Sequence, residues 1–431
     1  MGFYNIKLGS YIILYLWATY VIYLISPIRP VDMGLNESYT IIFLLIISIA
    51  IFLGCYFIRI PQSYKNIEIE PIPIFGQKFL AILQSLLIIV IIGYLFDFFK
   101  NGFGGFTLEL GENYEKTLTQ EYFADVSFWG QIYALASPFR YFILSYGIYN
   151  YEKLTKLNKV LYIGLITASC FLSLFGLGTQ KGVGDILIII FFTYWIKALK
   201  GNYIKKFKKV VLCGILIFVA LFSYSQASRY KVLSGANEMS SSSYSDYNSD
   251  NWVCDIFGRE IGEGLIRFGN YISNGYPGLN YCLQMSFEWT YGYGGSRAAN
   301  DYMTRYFGLE SQFENTLPVR MENEVGWPGL MIWPSAFAWW ASDLTWVGVI
   351  ILMFVFIRYL CILLKESLEF QNPLSIAIFS YLFIGIVFLP CNNQLMQGSA
   401  NFISTITLIV FWAFFHKKFN GTPLIECENI E

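Results

Sequence analysis

YTIIFLLIISIAIFLGCYFI, residues 39–58, holds no charge, although Glu37 stands just before it and Arg59 just after it. A helix rises about 1.5 Å per residue, so a run of this length covers the ~30 Å hydrocarbon core of a bilayer. In water its apolar circumference would have nothing to face. The run reads as a transmembrane helix, and nine more of similar character lie around it: 9–26, 79–98, 127–150, 159–177, 183–199, 209–226, 345–364, 374–391 and 400–416. The composition agrees. Hydrophobic residues make up 55% of the 431 before the 36 glycines are counted, and charged residues only 14%. Ordinary soluble domains hold about 45–50% apolar residues with glycine included and about 25% charged. The chain is expected to be an all-α polytopic membrane protein of about ten transmembrane helices. Its net charge of −1 argues against a nucleic-acid partner, which needs a basic surface.

Ten crossings put both termini on one side, and the lysines say which. Arg59, Lys65, Lys78, Lys153, Lys156, Lys159, Lys197, Lys200, Lys205, Lys206, Lys208, Lys209 and Lys365 fall in alternate connections, with Lys7, Lys417 and Lys418 at the termini. The positive-inside bias assigns that side to the cytoplasm. The opposite connections carry few lysines and one long loop. Three parts follow: 1–226 with helices one to seven, 227–344 as a large periplasmic loop containing short helices, and 345–431 with helices eight to ten and a short tail. The stretch GWPGLMIWPSAFAWWA, 326–341, is apolar but short and holds two prolines, so it is expected to lie at headgroup depth with its four tryptophans. The first span is long and lacks a small-residue cleavage site, which reads as a retained helix.

The chain's one histidine, His416, falls at the cytoplasmic end of the last span. Any base on the outer face must then be Asp or Glu. Cations near that face are the sharper signal, because a cation in lipid is costly and seeks an anion. Arg140 lies inside ALASPFRYFIL, Lys181 in the glycine-rich break GLGTQKGVGD, and Arg267 in REIGEGLIRFGNY at helical spacing from Glu260 and Glu263. Each has a plain alternative. Arg140 could pair with Asp97 or with a carboxylate of the outer loops, Lys181 with Asp185, and Arg267 with Glu260 and Glu263 in an intrahelical salt-bridge pattern. Arg229, Arg259, Arg297, Arg305 and Arg320 add guanidiniums to the loop, and Arg suits phosphate oxygens. The Glu322/Glu324 pair reads as solvated carboxylates before it reads as a metal site. Cys254 and Cys282 could pair in an oxidising compartment or stay free.

YISNGYPGLNYCLQ (271–284), YGYGGSRAANDYMTRYFG (291–308), ENT (314–316) and WWASDLTWVGVIIL (339–352) resemble, in order and spacing, the O-antigen polymerases of the Wzy type. GLGTQKGVGDILIIIF is similar to their basic span entrance, with Lys181 in the basic position. Arg267 to Gly278 and Arg297 to Gly308 match an Arg-x10-Gly spacing found in some members. The pattern covers about 150 residues. The resemblance implies a GT-C-like glycosyltransferase architecture in a bacterial inner membrane. It implies as substrate an undecaprenyl-diphosphate-linked oligosaccharide held in membrane lipid, as partner a chain-length regulator protein, and no cofactor.

On this expectation Arg140, Lys181, Arg267 and Arg297 bind the diphosphate, and Glu263, Glu314 or Asp343 takes the acceptor proton without a metal. Related O-antigen ligases share the architecture but use an external histidine, which this sequence lacks. A transporter of polysaccharide or lipid-linked sugar is the rival from another class, and most of the ten spans have no interior charge to couple an ion. A polyprenyl-monophosphate-sugar transferase would need a large first external loop, and 27–38 is short. A structural scaffold leaves the arginines unexplained.

Overall fold

The structure is a computed structural model and describes residues 4–61, 69–70, 75–100, 127–201 and 239–423, with scattered positions between 209 and 228. Lys65, Arg229, the cluster Lys205–Lys208 and part of the expected span 209–226 lie outside the described residues. The chain is helical. In order come α1 (Tyr4–Ile25), α2 (Glu37–Tyr56), α3 (Gln77–Lys100), α4 (Phe128–Tyr149), α5 (Lys156–Phe171) and α6 (Lys181–Gly201). The loop follows with α7 (Trp252–Phe257), α8 (Arg259–Ser273), α9 (Gly275–Gln284), α10 (Arg297–Phe307) and α11 (Leu317–Val325). Last are α12 (Ala336–Glu369), α13 (Pro373–Phe388) and α14 (Ser399–Phe415).

Seven helical stretches among the described residues are long and apolar enough to cross a membrane: α1, α2, α3, α5 with its continuation to Gly176, α6, α12, and α14 with its continuation to Phe419. α13 is shorter, and it is the central helix, with every residue from Pro373 to Ile386 buried. Neighbouring helices, rather than lipid, cover its apolar surface. α4 and α6 pack on it, joined by a hydroxyl chain from Ser145 to Thr193 (2.8 Å) and on to Ser380 (2.9 Å). Between apolar helices such bonds and close backbone approach take the place of the hydrophobic drive. Gly54 on α2 is an instance of the second, because a Cβ there would meet the Phe354 carbonyl of α12 at 2.8 Å.

Two short pairings sort the ends of the bundle. Ile28–Pro30 pairs antiparallel with Ser245–Tyr247, so the first connection and the long loop share one end. Ile69–Glu70 pairs with Thr422–Pro423, and the Tyr4 amide donates to the Ile60 carbonyl at 3.0 Å, so both chain termini share the other. This is the relative arrangement that an even number of crossings requires.

The loop is a packed cap. α9 is buried from Gly275 to Cys282 and wedges between α1 and α2. The Asn280 amide donates to the Asn36 carbonyl (2.7 Å) and to Thr40 (2.9 Å), and Tyr276 bonds to Leu16 and Thr19 of α1. The 326–341 stretch corrects one expectation. Trp327 and Trp339 are inside the protein, against Tyr281 and Phe313, and residues from Ala336 already belong to α12. Proline at 334 halts the irregular part, and the helix then runs to Glu369 with one break at Thr345 (φ 64°), where the span was expected to begin.

Candidate functional site

The site is built on Cys391–Asn401, CNNQLMQGSAN, which reads as a mere connection between two spans. α13 ends at Phe388, Pro390 cannot continue it, and the chain turns back inside the protein before α14 starts. Backbone groups buried there must find partners within the chain. The amides and hydroxyls supply them. Asn393 N–H donates to the Asn392 side chain (2.8 Å), Asn401 Nδ2 to the Gln394 carbonyl (2.9 Å), and Thr405 to the Leu395 carbonyl (3.1 Å). From the loop, Ser296 bonds to the Met396 carbonyl while Asn393 and Gln397 donate to the Gly295 carbonyl at 3.3 and 3.2 Å. Gly295 could be nothing else, since a Cβ would lie 2.2 Å from the Trp339 carbonyl.

Three of the four cations expected at an anion site gather around this segment. The Arg140 guanidinium is buried between the rings of Tyr133 and Tyr141, 4.6 and 4.5 Å from their centroids, and bonds to the Tyr133 hydroxyl. Tyr141 in turn donates to Asn401 at 2.7 Å. Asp185, also buried, interacts electrostatically with both Arg140 and Lys181. The Asp97 alternative fails, for Asp97 accepts the Trp129 amide instead, at 3.3 Å. Lys181 opens α6, and a Cβ on Gly398 would sit 3.6 Å from its ammonium. Gly398 is also the N-cap of α14 and offers no side chain to cap it. Arg297 opens α10 at the rim. Its backbone N–H donates to Gln397 at 3.1 Å, and its guanidinium lies 5.9 Å over Phe313.

Arg267 belongs elsewhere. It sits on α8, which packs on α1, and its side chain bonds to Glu263 (3.2 Å) and the Gln226 carbonyl (3.5 Å). Glu263 is buried, accepts from Arg259 as well (3.4 Å) and takes the Met239 amide (3.3 Å), so the plain intrahelical pairing describes both residues. Asp343 is occupied too. It accepts from the Thr290 hydroxyl at 2.5 Å and the Gly295 amide at 3.0 Å, and so clamps the turn 290–295 onto α12. Of the three candidate bases Glu314 alone is exposed, in the turn Phe313–Asn315 next to the ring under Arg297. Beside Arg297 on α10, burial raises the Asp301 carboxyl above its usual range while Arg297 and Arg305 oppose it.

Glu324 pairs with Arg320 (2.9 Å) and Glu322 accepts the Leu330 amide (3.0 Å), which uses up the alternating carboxylates. Among the described residues no three His, Cys, Asp or Glu side chains come together as a metal site. Cys254 and Cys282 are free thiols, the latter packed 3.7 Å from the Met321 sulfur. His416 lies at the far end with the termini, stacked on Trp412 and 3.7 Å from Glu366. The run of Asn and Gln between two apolar spans was the signal for 391–401. No family model, curated protein or solved structure matches the chain.

Proposed function

We propose that the chain is a membrane glycosyltransferase that polymerises undecaprenyl-diphosphate-linked oligosaccharide repeat units. It would work without a metal on the periplasmic face of a bacterial inner membrane, making an O-antigen or capsule-type polysaccharide. The observation that carries the reading is the meeting of Lys181 with two helix N-termini. α6 begins at Lys181 itself, and the uncapped start of α14 at Gly398 lies against its ammonium. Helix N-termini carry partial positive charge and exposed N–H groups, and together with a lysine they suit a phosphate. Arg140 adds a second cation below, and the site keeps buried polar atoms without partners at Arg140 Nε, Gln180 Nε2, Asp185 Oδ1 and Asn393 Oδ1. Buried polar groups are ordinarily satisfied, so these four atoms fit a polar ligand, although other such atoms, both of the Gln84 amide among them, lie elsewhere in the protein.

In the reaction an acceptor hydroxyl attacks the anomeric carbon of the growing chain. The bond from that carbon to the diphosphate oxygen breaks, Glu314 takes the hydroxyl proton, and the diphosphate leaves on its lipid. Arg140, Lys181 and Arg297 stabilise the charge that develops on the leaving group, which is electrostatic catalysis by preplaced cations.

A polysaccharide or lipid-linked-sugar transporter is the second reading, favoured by one observation: Arg140 and Asp185 are charges buried within apolar helices. The related O-antigen ligase reaction remains the third. Deleting the gene and resolving surface polysaccharide on a gel separates them. Loss of a polymerase leaves a single repeat unit on the lipid anchor, loss of a ligase leaves none, and loss of a transporter need give neither. An alkaline phosphatase fusion at Ser242 tests the orientation and should be active.

A further inference from the structure

The turn that Asp343 clamps is also one wall of an open cleft of about 510 Å³. Trp289, Tyr291 and Tyr293 form that wall, and Glu310, Gln312 and Asn315 face them. Trp289 and Tyr291 are 58% and 61% exposed, with ring centroids 4.9 Å apart. Two large aromatic faces turned to solvent are unusual unless something covers them.

Tyr291 adds an independent observation. Its φ is 55°, in the left-handed region that glycine takes without steric cost and a tyrosine does not. The turn is rich in glycine, yet this position carries a ring. Strain of this kind persists where the surroundings impose it and the side chain has a use. The surroundings do impose it. Trp289 Nε1 donates to the Asp343 carbonyl (3.1 Å), the Tyr293 hydroxyl donates to the Glu310 carbonyl across the cleft (2.8 Å), and Arg320 holds Ser286 and Glu288 just upstream. The aromatic wall is therefore rigid before any ligand arrives, which lowers the cost of binding.

From this geometry we infer that the cleft is a saccharide subsite for neutral or amine-bearing sugars that excludes acidic ones. Flat aromatic faces suit the C–H faces of a pyranose, and a wall of amides and a carboxylate suits its hydroxyls. Charge sets the preference. The cleft's two charged residues are both carboxylates. Glu288 is paired with Arg320 at 3.1 Å, whereas Glu310 has no ion-pair partner among the described residues. A uronic acid would bring a second negative charge beside it. The inference rests on the glycan-handling reading above for its ligand, and deepens it by naming the sugar class.

The test is direct binding to the purified full-length protein in nanodiscs, by saturation-transfer NMR and titration. The probes are N-acetylated chitotriose (neutral), chitosan trisaccharide (amine-bearing) and trigalacturonate (acidic). The amine-bearing and neutral probes should bind, and the acidic one at least about fourfold more weakly, as expected for one like charge at contact distance in water. Trp289→Ala should weaken the neutral probe about tenfold, the scale of one aromatic stacking contact, and Trp289→Phe should recover most of it. Tyr291→Gly relieves the backbone, so it should unfold at a higher temperature and still bind more weakly. A merely structural tyrosine would not give these opposite signs. Three results would each overturn the inference: no probe binds at millimolar concentration, Trp289→Ala binds like wild type, or trigalacturonate binds as tightly as the amine. Sugar binding without a polysaccharide phenotype on gene deletion would sink the polymerase reading and leave the cleft standing. The phenotype without binding would do the reverse.

Discussion

Asp343→Asn and Asp343→Ala should have very different effects, because the Asp343 carboxylate clamps the turn 290–295. One oxygen accepts the Thr290 hydroxyl at 2.5 Å and the other the Gly295 amide at 3.0 Å. Hydrogen bonds to a charged group are each worth about 1.5–3 kcal/mol. Removing both would cost about 3–6 kcal/mol. Thr290 keeps a second acceptor in the Ser342 carbonyl at 2.8 Å, so the lower figure is the better guide. Local opening of the turn should then rise about 100-fold in Asp343→Ala, at ~1.4 kcal/mol per factor of ten. Asparagine keeps an acceptor for Gly295 and can donate to Thr290, whose proton goes to Ser342, so its effect should be under about tenfold. Chymotrypsin reads the opening, since Trp289, Tyr291 and Tyr293 are all cleavage sites within the turn. Polysaccharide made in cells should follow the same order, with Asp343→Asn near wild type. If Asp343→Asn abolished synthesis while its turn stayed protected, the carboxylate would be moving a proton and the clamp argument would fail. If Asp343→Ala were as resistant as wild type, the two hydrogen bonds would not hold the turn.

Lys181→Ala should reduce polymer synthesis by roughly 100- to 1000-fold at normal protein level, by analogy with removal of one charge-stabilising donor; near-normal synthesis would remove Lys181 from the site. Glu263→Ala removes the carboxylate beside the nearly buried Arg267 guanidinium, which keeps the Gln226 carbonyl, and should cost up to about 3 kcal/mol, seen as less protein in the membrane. Glu263→Gln keeps an acceptor and should retain synthesis, whereas loss of synthesis at full protein level would restore Glu263 as a base. For Asp301, whose carboxyl is raised by burial, protonation favours the folded state. Its contribution is full below about pH 4, the unfolded value, and is lost as pH rises through the higher folded one. The apparent melting temperature should fall over that window, and Asp301→Asn should flatten the fall.

Sequence alone determined what depends on composition along a single segment. An uncharged run such as 39–58 has one stable state in a bilayer, so α2 and most of its fellows were legible with ends good to a few residues. The even number of crossings likewise put both termini at one end, and the pairings of Tyr4 with Ile60 and Glu70 with Thr422 agree. Lys181 was legible because a cation in a glycine-rich break between spans stands out locally. Periodicity also gave α8, and with it the Glu263–Arg267 spacing, yet spacing could not say whether that pair serves a substrate or itself.

Tertiary structure decided every question of which distant residues meet. The Asn/Gln run 392–401 looked like a connection because its amides are polar, and only folding buries them where backbone needs partners. Asp343 looked like a free acid until the turn 290–295 was brought onto it, and Trp327 and Trp339 looked interfacial until α9 and Phe313 covered them. The physical reason is common to all three. Hydropathy measures what a residue would prefer as a neighbour, whereas a site is made by the neighbours that chain topology supplies, and those lie more than fifty residues away for Lys181 and Gly398 or for Asn280 and Asn36.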